Sequence, residues 1–252
     1  MSSIRSDISA PGWIEFCTRV PRPQFRLFCF HHAGGSALIF RDWHKYIPQT
    51  IEVCPIQLPG RGRRRAETPS TNLAELSAAL ARGIEHLLDL PFAFFGYSMG
   101  ATVAFETARR LEARRLRPLA LVVAAARPPS QQRAKTEYWK LPRERLIERL
   151  RTLQSTPEEI LNNSELMDYF LAIVRADFQV LETNRMEPGA KTACPILAMA
   201  GASDSDVQPE EMRGWSELTT GPFSFETLAG GHSFVIRQPA EVIARVRMSL
   251  AR

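Results

Sequence analysis

The chain has 252 residues, of which 44% are hydrophobic and 23% charged, with a formal net charge of +5. This is enough apolar material for a large core, which excludes a disordered chain, and no internal repeat points to a solenoid. The positive charge is nearly all arginine, gathered at Arg61, Arg63, Arg64 and Arg65 and again at Arg109, Arg110, Arg114, Arg115 and Arg117. With no aromatic interleaving and no nucleic-acid-binding motif beside them, these clusters do not point to nucleic acid.

The N-terminus lacks the apolar stretch of a secretory signal, and the longest apolar run, residues 119–126, is far too short to cross a bilayer. A soluble, cytoplasmic protein without membrane contact is expected. Cys17, Cys29, Cys54 and Cys194 are scattered, with no CxxC pair and no zinc-like spacing. Neither a metal site nor a disulfide framework is expected, and Cys29, Cys54 and Cys194 read as buried, reduced thiols.

The first strand signal is at residues 26–30, followed by the loop His31-His32-Ala33-Gly34-Gly35. A second strand is expected over 51–57. A helix over 73–88 follows, with Asn72 at its N-cap and Glu75 three residues on, a capping-box pattern. Residues 92–95 form a short aromatic strand, and from Met99 the apolar positions Val103, Ala104, Ala108 and Leu111 fall at helical spacing to about residue 115. Strand signals recur at 119–125, 195–200 and 223–228, and a last helix spans 240–250. Alternating strand and helix predicts a mostly parallel sheet with helices on both faces, and ligands then belong at the carboxyl ends of the strands. Between about residues 128 and 188 the alternation lapses into polar helical sequence, in which Thr156-Pro157-Glu158-Glu159 reads as another capping box. One domain over 1–252 is expected, with an inserted helical lid at about 128–188; the alternative is extra helices packed on the side of the domain.

Gly96-Tyr97-Ser98-Met99-Gly100 joins the aromatic strand to its helix. Glycines two before and two after the serine relieve crowding where the backbone doubles back, and the serine side chain is forced out into a cleft. Ser98 is therefore the candidate nucleophile of an α/β-hydrolase fold, against the plainer role of a helix N-cap. A serine hydroxyl needs a base to take its proton. Of the five histidines, His44 and His86 lie in helical patterns, whereas His232 follows the last strand in a glycine-rich loop, the place and chain order this fold requires. The carboxylate that orients the base should follow the strand at 195–200, where position leaves Asp204 and Asp206 equally open. Two convergent amides should form an oxyanion hole: Met99, directly after the nucleophile, and Ala33 in the loop after the first strand.

Taken together, FHHAGGSALIFRDW, LPGRGRRRAETP, GYSMGATVAFETARRLE, STPEEILNNSELMDYFLAIVRADFQVLET, GASDSDV and GGHSFV resemble, in the same order and across residues 25–250, the type II thioesterases associated with polyketide and nonribosomal peptide synthetases. The resemblance implies hydrolysis of acyl thioesters on the phosphopantetheine arm of acyl- or peptidyl-carrier proteins, clearing stalled or wrongly primed units. It implies no bound cofactor, since the substrate carries the phosphopantetheine, and a monomer is expected. The family's motif places the acid at Asp204 and a mobile helical lid over 128–188. A small-molecule carboxylesterase or an acyltransferase of the same fold is the alternative.

The chain departs from the family pattern at His31, where proline is usual, at Gly62, where an acidic residue is common, at Gln154-Ser155, where a glycine pair is usual, and at Ser233, which replaces an aromatic. None of these removes a member of the expected triad, and Ser233 bears on acyl preference. Because carrier proteins are acidic and their arm bears a phosphate, Arg61, Arg63 to Arg65 or the Arg109–Arg117 cluster is expected to face that partner.

Overall fold

The computed structural model describes residues 4–5, 12–18, 20–131, 137–154, 156, 158–161 and 163–250. Its strands are β1 Ile4–Arg5, β2 Cys17–Thr18, β3 Phe25–Phe30, β4 Ile51–Pro55, β5 Phe92–Tyr97, β6 Leu121–Ala124, β7 Ile196–Gly201 and β8 Phe223–Leu228. The α-helices are α1 Leu73–Ile84, α2 Met99–Glu112, α3 Arg143–Leu153, α4 Glu158–Leu161, α5 Ser164–Glu182, α6 Pro209–Met212, α7 Phe234–Arg237 and α8 Pro239–Leu250. Strands β1 and β2 form a separate antiparallel ladder, and the other six make one sheet in the order β4-β3-β5-β6-β7-β8 with every pairing parallel. This is the mixed α/β architecture of the α/β-hydrolase fold.

The sheet buries both faces, so its strands are apolar at nearly every position and sort their side chains by twos. In β5, Phe92 and Phe94 point into one core with helices α1 and α2, while Ala93, Phe95 and Tyr97 point into the other with α8. Phe28 and Phe30 of β3 share the first core, and Leu27 and Cys29 the second. Between β6 and β7 the segment that contains α3, α4 and α5 has a core of its own, built from Leu146, Leu150, Leu153, Leu161, Met167, Leu171, Val174 and Phe178. No described helix is long and apolar enough to cross a membrane.

Several element ends fall short of the sequence pattern, each for a local reason. Helix α1 stops at Ile84 and its last turn, Glu85–Leu87, tightens into a 3₁₀ helix. Helix α2 ends at Glu112 because Arg115 takes a left-handed backbone (φ 64°), and the Arg115 and Leu116 amides donate back to the Glu112 and Leu111 carbonyls. Strand β6 stops before Ala125, whose φ is 49°. The Asn72 cap forms as its spacing predicts, with its side chain accepting the Glu75 amide at 3.1 Å. Ser155 and Pro157 lie outside the described residues.

The chain leaves β3 to build β4 on one side and then crosses to build β5 on the other. Loops leaving the carboxyl ends of β3 and β5 therefore diverge and open a crevice between them, the switch point at which open α/β sheets bind ligands. Ala33 lies on the first of these loops and Ser98 on the second.

Candidate active site

Ser98 occupies a backbone conformation (φ 53°, ψ −119°) that side chains other than glycine rarely adopt. The turn is too tight for side chains at its two glycines. A Cβ on Gly96 would lie 2.4 Å from the Ala101 Cα, and one on Gly100 would lie 2.2 Å from the Phe30 carbonyl oxygen. Helix α2 thus starts against the end of β3, and the half-buried Ser98 side chain stands at the rim of the sheet.

The loops after β7 and β8 close on each other in the same way. Gly201 has no side chain where a Cβ would lie 2.6 Å from both the Gly230 and Gly231 carbonyl oxygens. Ala202 and Ser203 donate their amides to Leu228 and Gly230 at 2.8 and 3.0 Å. This zipper brings Asp204 to His232, whose Nδ1 is 2.9 Å from Asp204 Oδ2. A carboxylate can only accept, so Nδ1 carries the proton and Nε2, 3.1 Å from Ser98 Oγ, is left to accept from the hydroxyl. The other carboxylate oxygen of Asp204 accepts the Asp206 and Val207 amides at 2.8 and 3.0 Å. Burial of Asp204 works against its ionisation, but the His232 hydrogen bond, the His232 charge and these two amides outweigh it and hold the carboxyl below its ordinary pKa.

Asp206, the rival candidate, lines the same cavity, but its carboxylate is engaged by arginines: it accepts from Arg149 Nη2 at 2.6 Å and has Arg127 Nη1 at 4.0 Å. Ala33 and Met99 line the same cavity as Ser98 and His232, a space of about 850 Å³ that extends under the helices between β6 and β7. The Gly34 amide, next to Ala33, is engaged by Asp177 Oδ2 at 2.7 Å. Of the remaining histidines, His32 lines the cavity with Ser98, its ring 4.9 Å from that of Tyr97, and the other three are held elsewhere. His44 is tied to the Arg41 carbonyl at 2.8 Å and His86 is exposed. His31 is buried, and its Nδ1 is 2.8 Å from the His32 carbonyl oxygen. Burial first, and the nearby Arg61 charge second, push the His31 pKa well down, so its ring is neutral and donates from Nδ1.

Two features of the site had no reading in the sequence. Tyr97 donates its hydroxyl to the His232 carbonyl oxygen at 2.9 Å, and burial pushes its phenol pKa well up, so the proton stays in place. Nothing in the spacing marks this bond. Asp177 had a usable signal: it is an acid among apolar neighbours, in register with Val174 and Leu181 on one face of α5.

The arginine clusters require a correction. Arg61 is buried against Asp177, and Arg64 is buried with its guanidinium 3.9 Å above the Trp13 ring and paired with Glu67. Arg109 binds Glu106 and Glu187, Arg110 binds Ser77, and Arg114 binds Glu85. Burial removes Arg61 and Arg64 from any docking face, whereas Arg63, Arg65, Arg115 and Arg117 are exposed. Composition alone does not separate an arginine on a surface from one that clamps the interior.

Among the described residues, the one group of metal-ligating type is Cys17, Glu52 and Cys54, with the two thiols 3.3 Å apart. It does not line the cavity with Ser98; Glu52 is committed to Arg26 at 2.7 Å, and burial pushes the Cys54 thiol well up, away from the thiolate a metal needs. All four cysteines are free and buried.

Known proteins resemble the chain along most of its length. The family model for the thioesterase domain matches residues 25–250. The gramicidin S biosynthesis protein GrsT of Aneurinibacillus migulanus is 39% identical over 221 residues, 87% of this chain and 86% of that protein. The thioesterase PikA5 of Streptomyces venezuelae is 35% identical, with 91% of this chain and 82% of that protein covered. In three dimensions the chain is similar to the type II thioesterase BorB from the borrelidin biosynthetic cluster, with a TM-score of 0.85 and 38% identity over 97% of this chain and 100% of that one.

Proposed function

This chain belongs to the thioesterase family, and on that premise we propose that it hydrolyses acyl thioesters on the phosphopantetheine arm of acyl- or peptidyl-carrier proteins, as an editing enzyme of polyketide or nonribosomal peptide assembly. The observation that carries this is the position of His232, 3.1 Å from Ser98 Oγ and 2.9 Å from Asp204 Oδ2, in a chain whose relatives serve such pathways by name.

Ser98 Oγ attacks the thioester carbonyl while His232 Nε2 takes its proton. Asp204 keeps the imidazole in the receptive tautomer and stabilises the imidazolium that forms. The Ala33 and Met99 amides bind the oxyanion of the tetrahedral intermediate, and the C–S bond breaks as His232 returns the proton to the departing pantetheine thiol. Water, deprotonated by His232, then attacks the acyl-enzyme; the acyl–oxygen bond breaks and Ser98 regains its proton. None of these steps needs a cofactor.

In this account residues 1–252 are a single α/β-hydrolase domain working as a cytoplasmic monomer, and the helices between about 128 and 188 are its lid. Leu153 on α3 and Phe178, Leu181 and Glu182 on α5 form the outer wall of the cavity, which supports the lid assignment. The exposed Arg65, Arg115 and Arg117, with the exposed but ion-paired Arg63 and Arg114, are the arginines of these clusters that can meet an acidic carrier.

The test presents one acyl group on a holo-carrier protein, on coenzyme A and as a nitrophenyl ester, to the parent and to Ser98→Ala. Carrier-bound thioester hydrolysed with the highest kcat/KM, and lost in Ser98→Ala, supports the proposal. Preference for the free ester makes the protein a carboxylesterase, and acyl transfer to an added alcohol or amine in place of hydrolysis makes it an acyltransferase.

A further inference from the structure

Arg61 and Asp177 form an ion pair whose side chains are only 6% and 3% exposed. The contact is a two-pronged fork, Nη1 to Oδ2 at 2.6 Å and Nη2 to Oδ1 at 2.7 Å. Both partners also hold the loop after β3. Asp177 Oδ2 accepts the Gly34 amide at 2.7 Å, and Arg61 donates from Nη1 to the Gly35 carbonyl oxygen and from Nε to the Pro59 carbonyl oxygen, each at 3.3 Å. Helix α5 presses on the same point: Gly34 is left-handed (φ 72°), and a Cβ there would lie 2.9 Å from Val174 Cγ2 and 3.1 Å from Phe170 Cζ.

Stability alone does not account for such a pair. Burying two charges costs solvation that their attraction only roughly offsets, and two apolar side chains of similar size serve a core as well. What an apolar pair cannot supply is directed hydrogen bonds to two successive residues of one loop. The Gly35 amide donates to the His32 carbonyl oxygen at 3.0 Å, closing a turn with Ala33 and Gly34 at its centre. That carbonyl shares its planar peptide unit with the Ala33 amide, so a tether on Gly34 and Gly35 also holds the unit that carries the Ala33 N–H. The same helix carries Phe178, Leu181 and Glu182 on the cavity wall.

We propose that Arg61 and Asp177 are positioning residues that clamp helix α5 to the loop after β3, and so aim the Ala33 amide at the developing oxyanion. The inference rests on the function proposed above, since it needs an oxyanion at that place. Substrate binding that displaces α5 then also displaces the hole. A misplacement of about 1 Å is enough to cost about a hundredfold in rate.

The test measures kcat, KM, melting temperature and the inhibition constant of an acyl trifluoromethyl ketone in Asp177→Asn, Asp177→Ala and the double variant Arg61→Met with Asp177→Leu. The ketone adds Ser98 Oγ to its carbonyl carbon, His232 takes the hydroxyl proton, and the resulting alkoxide occupies the hole. We expect kcat to fall about tenfold or more in Asp177→Ala and in the double variant, with KM changed less than about threefold and ketone affinity falling in step with kcat/KM. Asp177→Asn, which keeps the volume and an acceptor for the Gly34 amide, should fall between these and the parent and is the variant least able to disturb folding. A merely structural role would lower the melting temperature and leave kcat and ketone affinity of the folded protein within about twofold of the parent, and that result overturns the proposal. Ser98→Ala in the same series separates the failures: turnover surviving in Ser98→Ala removes the underlying mechanism, whereas its loss beside normal Asp177 variants removes only the clamp.

Discussion

The Tyr97 hydroxyl donates to the main-chain oxygen of His232 at 2.9 Å, so the residue before the candidate nucleophile anchors the loop of its candidate base. The bond is buried. Tyr97→Phe leaves a buried carbonyl without this donor and is expected to cost about 1–3 kcal/mol of stability. A looser His232 should also lower kcat several-fold while KM holds. Urea unfolding and steady-state kinetics on the same preparation check both, and unchanged stability would show that the oxygen finds another partner.

The glycines around Ser98 give a sharper expectation. In Gly100→Ala the new methyl would lie 2.2 Å from the Phe30 carbonyl oxygen and 2.7 Å from that of His31, and both obstacles are backbone. Overpacking of this kind costs roughly 1–3 kcal/mol where side chains can yield, and here β3 or α2 must shift instead. We expect a lower urea midpoint and a loss of fluorophosphonate labelling at Ser98 that exceeds the loss of folded protein. Labelling that merely tracks the folded fraction would mean that the turn tolerates the methyl.

These contacts also show what a single sequence can carry. The six strands of the main sheet and the turn at Ser98 were legible because each is encoded locally, in short apolar runs such as residues 92–95 and in glycines two residues either side of a serine, whereas the two-residue strands β1 and β2 are too short to leave such a run. The choice between Asp204 and Asp206 was not, because both lie on the same short loop and only the folding of that loop against Gly230 and Gly231 points one of them at His232. Arg61 was misread as a docking residue because its partner lies 116 residues away in the chain. A contact of that range leaves no mark in spacing or composition.

The two aspartates are separable by experiment. Asp204→Asn removes the acceptor that fixes the His232 tautomer and is expected to lower kcat by about 10⁴-fold with little change in folding. Asp206→Asn leaves His232 untouched but strips a carboxylate from Arg149 in the cavity wall. It should lose less than about tenfold in kcat and alter the ranking of acyl chains instead. Equal losses in the two variants would contradict the assignment of the acid to Asp204.

Glu182 sets a pH dependence with an unusual sign. Burial pushes its carboxyl up to about 7, against the Trp139 and Tyr138 amides it accepts, with Glu137 adding to the rise and Arg149 opposing it. In the unfolded chain the same carboxyl titrates at about 4.3. Between those values the folded protein holds a proton that the unfolded chain has lost, so stability falls as pH rises through that window and levels off above it. Asp204, whose pKa is lowered by folding, acts in the opposite direction only in acid, whereas His31, whose pKa folding pushes well down, opposes Glu182 in the same window, so the effect of Glu182 is read as a difference between parent and variant. From about pH 5 to about pH 7 the urea midpoint of the parent should therefore fall relative to that of Glu182→Gln, which keeps the shape, cannot ionise and retains His31. A parent and a variant with parallel pH profiles would mean that Glu182 keeps its solvent-like pKa and that the cavity wall beside it is wetter than its burial implies.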